Sequence, residues 1–143
     1  MILLLTLLLT FPQQSNHLNK NKKDVMIGGW DVVSYHNDQP IEGSENISST
    51  YQGGTYFFAS TENKNLFDSD PDKYVPAYGG WCAYAMGDDG SKVKIHPESY
   101  KIIEGRLYLF YNFWGTDTLE MWNEDEKNLK EKADSYWADI IKS

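Results

Sequence analysis

The chain has 143 residues, with 13 basic and 21 acidic side chains and a formal charge of -8. That balance argues against nucleic acid, whose phosphates require a basic surface, and against docking on an anionic membrane face. A single cysteine excludes an intramolecular disulfide, so a hydrophobic core must hold the fold, and the aromatic 15% of the chain can supply it.

The first residues stand apart. Ile2 to Phe11, "ILLLTLLLTF", is an unbroken apolar run followed by Pro12. It is too short to cross a bilayer, which takes about 20 apolar residues, and it suits the h-region of a secretory signal, about 7–15 residues long. Residues 1–15 are therefore expected to be a signal peptide, with Ser15 as the small residue at the cleavage point. The chain is then extracytoplasmic, either periplasmic or secreted. No Lys or Arg precedes the run, which leaves an uncleaved anchor as the competing reading. Residues 16–24, rich in Asn and Lys, read as a disordered linker, and residues 25–143 as one domain.

Within the domain, Asp31–Tyr35 (DVVSY) predicts a short strand and Pro40–Ser49 a loop. Tyr51–Ser60 (YQGGTYFFAS) predicts a hairpin turning at Gly53-Gly54 into an aromatic strand, Thr55–Ala59. Ser60 or Thr61 then caps a short helix through Asn65 and Phe67, and Asp70-Pro71 starts a second helical turn. Gly79-Gly80 breaks the chain and Gly87 closes it, leaving Trp81–Met86 as a short helix. Pro97 is expected to open another helical turn. Tyr100–Tyr111 reads as a hairpin about Glu104-Gly105. From Thr116 to Ile141 one long helix is expected, with an apolar stripe of Leu129, Ala133, Tyr136, Trp137 and Ile140. The class is α+β: a small antiparallel sheet with short helices and one long C-terminal helix.

The pattern of Tyr51, Gly53, Tyr56, Phe57, Phe58, Ser60, Phe67, Pro71 and Tyr74 resembles the YHS domain family. The resemblance begins at "GWDVVSY", which includes Asp31, and in the longer exported members it extends to the closing Trp-containing helix. Short members look like metal-handling modules. Their cysteines would fall near Ser34 and at Ala59 and Asn63; none is a cysteine here, so that thiolate site is absent. Longer members carry "YGG-aromatic-CAYA", which this chain matches at Tyr78–Ala85, Gly79 and Gly80 included.

Cys82 and Met86 stand four apart, so a helix would place both sulfurs on one face. Thiolate plus thioether selects Cu(I), the cofactor this pair would take. His36 and His96 are the imidazoles that could join them. The competing reading is core packing, since Cys and Met are both habitually buried. A Cys–His nucleophile is a third reading, with no local signature around Cys82 to support it. "GDDG" at Gly87–Gly90 lacks the ligands of a calcium loop. Asp31 is expected to accept backbone N–H groups in a buried turn. The reading is a monomeric, exported binding module holding a soft or borderline metal at Cys82, Met86, His36 and His96. The alternatives are a structural or interaction domain without metal, with an unidentified protein partner, and a Cys-dependent enzyme.

Overall fold

The computed structural model describes residues 14–143, so the expected signal peptide falls almost wholly outside the described residues. Along the chain lie a hairpin of β1 (Ser44–Tyr51) and β2 (Gly54–Phe58), then helices α1 (Thr61–Ser69), α2 (Pro71–Tyr74) and α3 (Ala83–Asp89). A second hairpin follows, β3 (His96–Ile103) with β4 (Arg106–Phe110), and a short one, β5 (Asn112–Phe113) with β6 (Thr116–Asp117). Helices α4 (Thr118–Glu124) and α5 (Glu126–Ile141) close the chain. The fold is α+β, with its antiparallel pairing divided among three two-stranded sheets. Each hairpin turns on two residues of positive φ, namely Gln52-Gly53, Glu104-Gly105 and Trp114-Gly115, the conformation that follows the twist of the flanking strands.

Strand β4 sets the layout. Successive side chains of a strand point to opposite faces, yet Leu107, Tyr108, Leu109 and Phe110 are all buried. Leu107 and Leu109 enter an N-terminal core with Val33, Tyr35, Phe58 and Phe67. Tyr108 and Phe110 enter a C-terminal core with Tyr78, Met86, Trp122 and Ala133. One strand is thus the wall between two cores.

Several elements differ from the sequence expectation, each for a local reason. Residues 31–35 form a turn and a 3-10 helix (Ser34–Asn37) instead of a strand. The Asp31 side chain captures the Val33 and Ser34 N–H groups that a strand would pair with a neighbour. The polar segment expected as a loop, Pro40–Ser49, contains most of β1, an edge strand with a bulge between Ser44 and Ser48. Residues 16–24, read as a disordered linker, lie against the domain. The Asn19 N–H donates to the Gly79 carbonyl, and Lys20 bridges to Met26.

Gly87 does not close its helix. α3 runs on to Asp89 and ends at Gly90, which takes the left-handed conformation. Gly87 is needed for approach instead, since a Cβ there would lie 2.5 Å from the Leu129 carbonyl oxygen of α5. Pro97 lies in β3 at a register shift between His96 and Tyr100, where a missing N–H costs no ladder bond. The expected long helix breaks at Asp125, whose N–H is bonded back to Trp122. Of its stripe, Leu129 and Ala133 are buried, Trp137 and Ile140 half-buried, and Tyr136 is exposed.

Candidate functional site

Asp31 is fully buried and tied to four donors. Its Oδ1 accepts the N–H of Val33 at 2.9 Å and of Ser34 at 3.3 Å. Its Oδ2 accepts the N–H of Ala59 and the Asn63 side-chain amide, both at 2.8 Å. The carboxylate therefore clamps the 31–34 turn to the end of β2 and the first turn of α1. Ser60, as expected, caps α1 by accepting the Asn63 N–H at 3.1 Å. The resemblance to short YHS members implies thiols near Ser34 and at Ala59 and Asn63. Here those three residues meet around a carboxylate. The four groups bonded to the Asp31 oxygens are three backbone N–H groups and the Asn63 amide N–H, all hydrogen-bond donors.

The aromatic positions singled out in the sequence build the N-terminal core. Phe67 contacts Tyr51, Tyr56, Phe58 and Tyr74 by ring–ring packing. Pro71 opens α2 at its first position, and Gly53 supplies the left-handed turn residue before β2. Tyr78, Gly79 and Gly80 all take positive φ. A Cβ on Gly79 would lie 2.7 Å from the Trp137 ring, so this turn is where α5 closes over the chain. The Tyr78 hydroxyl donates to Asp134 at 2.7 Å, and burial raises its pKa, with that carboxylate adding to the effect.

Cys82 sits on the other side of β4. It is the N-cap residue of α3 and is fully buried, as is Met86. The sulfur accepts the Tyr111 N–H at 3.3 Å and lies 3.4 Å from the Thr118 hydroxyl. That hydroxyl donates to the Tyr111 carbonyl at 2.6 Å, so between Cys82 and Thr118 the S–H is the donor. Both hydrogen-bonding functions of the thiol are thereby used within the protein. Tyr111 and Thr118 were not foreseen as partners because they lie 29 and 36 residues away in sequence. Cys82 lines a shallow depression together with Tyr84, Tyr111, Thr118 and Met121. Burial raises the Tyr84 pKa, and the carboxylates of Asp88 and Glu124 add to it.

The two histidines lie in other surroundings. His36 packs edge-on against Tyr74 of the N-terminal core, with ring centroids 5.0 Å apart. Its Nε2 is buried without a hydrogen-bond partner, and its pKa is lowered by burial first and by the Lys73 charge second. His96 packs on Phe113, and its Nδ1 accepts the Glu98 N–H at 3.1 Å. Among the described residues no group of three or more His, Cys, Asp and Glu side chains could hold a metal ion.

Comparison with protein-family models places a YHS domain at residues 33–78, and the chain therefore contains that domain. The match takes in β1, β2, α1 and α2 and ends at the Tyr78 turn, leaving Cys82 and nearly all of the C-terminal core beyond it. No curated protein and no solved structure matches the chain.

Proposed function

We propose that this chain is an extracytoplasmic, non-catalytic binding module of the YHS type, in which Cys82 is a structural thiol. The observation that carries this reading is the sulfur itself: fully buried, accepting one backbone N–H and donating to one hydroxyl. A nucleophile needs an accessible thiolate beside a base, whereas His36 and His96 pack on Tyr74 and Phe113. Export is supported by the apolar run Ile2–Phe11. Among the described residues no helix is long and apolar enough to cross a membrane.

One observation favours a second reading: Cys82 is among the residues that line a depression together with Tyr84 and Tyr111. In that reading Cu(I) is held by Cys82 with Met86. Thiol labelling separates the two. Under the structural reading, a disulfide reagent modifies Cys82 in the folded chain at least about 100-fold more slowly than in denaturant, because modification awaits opening of the core. Added Cu(I) leaves that rate unchanged, and Cys82→Ser lowers stability by about 1–2 kcal/mol. Rapid labelling of the folded chain that Cu(I) blocks would replace the structural reading with the metal one.

A further inference from the structure

The geometry points to a membrane-facing surface on this acidic protein: a lysine-rich face, tipped by Trp114, that seats on the headgroups of an anionic phospholipid bilayer. The net charge of -8 predicts the opposite for the molecule as a whole, but the charge is not evenly spread. Lys22 and Lys23 are exposed on the turn between Asn19 and Asp24, and Lys92 and Lys94 are exposed on the segment leading into β3. These two segments adjoin, because Asn19, Lys20 and Asn21 line one shallow hollow together with Lys94 and Ile95. Exposed carboxylates also flank these segments in sequence, at Asp88, Asp89 and Glu98. Asp24 pairs with Lys20 at 3.0 Å, and Asp117 accepts the Leu119 N–H at 3.0 Å.

The same face carries the most exposed large apolar side chain of the described residues. Trp114 is 92% exposed. It sits in the tight β5–β6 turn, which pairs Asn112 with Asp117 and Phe113 with Thr116. Behind it Phe113 packs on Tyr111 and His96, and Lys94 Nζ lies 4.8 Å from the Phe113 ring centre. An indole held out on a hairpin beside lysines suits the bilayer interface, where Trp buries its apolar body and keeps a polar edge wet.

The chain itself leads to this face. The apolar run Ile2–Phe11 joins the domain through Gln14–His17. There the His17 carbonyl accepts the Trp81 indole N–H at 2.6 Å, and His17 Nδ1 lies 2.9 Å from Lys92 Nζ. One lysine near an anionic surface strengthens binding roughly fivefold.

Co-sedimentation of the full chain with phosphatidylglycerol-rich and with pure phosphatidylcholine vesicles tests this. The expected result is strong preference for the anionic vesicles, weakened by salt and not by millimolar inorganic phosphate. Replacing Lys22, Lys23, Lys92 and Lys94 by Gln should cut that preference by roughly 100-fold or more. The same change at Lys73, Lys127, Lys132 and Lys142, which removes equal charge elsewhere, should leave the preference nearly intact. Brominated lipid should quench tryptophan emission in the wild type and much less in Trp114→Phe. Equal binding to both vesicles, equal effects of the two lysine sets, displacement by free phosphate, or quenching that persists without Trp114 would each overturn the proposal.

Discussion

Asp31 and Cys82, one in each half of the molecule, are both fully buried hydrogen-bonding groups, and the two halves treat them differently. On the N-terminal side Asp31 gathers four donors from three separate stretches of chain. On the C-terminal side Cys82 engages one N–H and one hydroxyl, from residues flanking the short β5–β6 hairpin. A carboxylate can accept several bonds at once and is expensive to bury unless it does so. A thiol is a small apolar group with weak donor and acceptor ability. The N-terminal half is therefore organised around its polar group, while the C-terminal half is organised around aromatic packing and merely accommodates one.

The sharpest way to break that contrast is to remove the carboxylate. Asp31→Ala leaves four donors without their acceptor, each worth roughly 1–3 kcal/mol when buried and unpaired. With partial relaxation the expected loss is about 4 kcal/mol, read by urea denaturation. Asp31→Asn keeps the shape but turns one acceptor into a donor facing other donors, so it should recover less than about half of that loss. An Asn variant as stable as the wild type would end the idea of a four-donor hub.

A somewhat smaller effect tests whether the two halves are one cooperative unit. Leu109 and Phe110 are neighbours on β4, both buried, and they face different cores. Leu109→Ala and Phe110→Ala should each cost about 3 kcal/mol through lost burial and a residual cavity. Because they share one strand, each should shift a single transition that coincides by far-UV circular dichroism and by tryptophan emission. A biphasic curve in either variant would show that β4 divides two units that unfold separately.

What the sequence disclosed follows the same division. The aromatic framework was legible because Tyr56, Phe58, Phe67 and Tyr74 sit at positions where strand alternation and helix spacing demand apolar side chains. The Ser60 cap and the Glu104-Gly105 turn were legible because their chemistry is local. Asp31 was recognisable as an acceptor of nearby N–H groups, but its bond to Asn63 depends on how β2 carries the chain back. The segment 31–35 misled because two adjacent valines resemble a strand, while a local carboxylate bond wins the backbone. Gly87 was read as a helix end because its packing against Leu129 is invisible without α5. The surroundings of Cys82 depend on contacts across 29 and 36 residues, beyond the reach of periodicity. Trp114-Gly115 did offer a signal, since a residue followed by Gly between extended pairs marks a tight turn.

The smallest expected effect concerns His36, which adds a second polar group to the N-terminal half without satisfying it. Its Nε2 is enclosed beside the Tyr74 ring, and the Lys73 charge further disfavours protonation. The folded-state pKa therefore lies below the ordinary value of 6.5. Between those two values the unfolded chain binds more protons than the folded one, so stability rises with pH across that window. The contribution is at full strength above about pH 6.5 and is lost as pH falls through that value toward the lower folded-state pKa. His36→Phe keeps the ring against Tyr74 and removes the titration. Its unfolding free energy should be flatter than that of the wild type between pH 7 and pH 5, measured by urea denaturation. Identical slopes would mean that His36 finds a proton acceptor or water on folding, and the two halves would then differ only in the number of donors they gather.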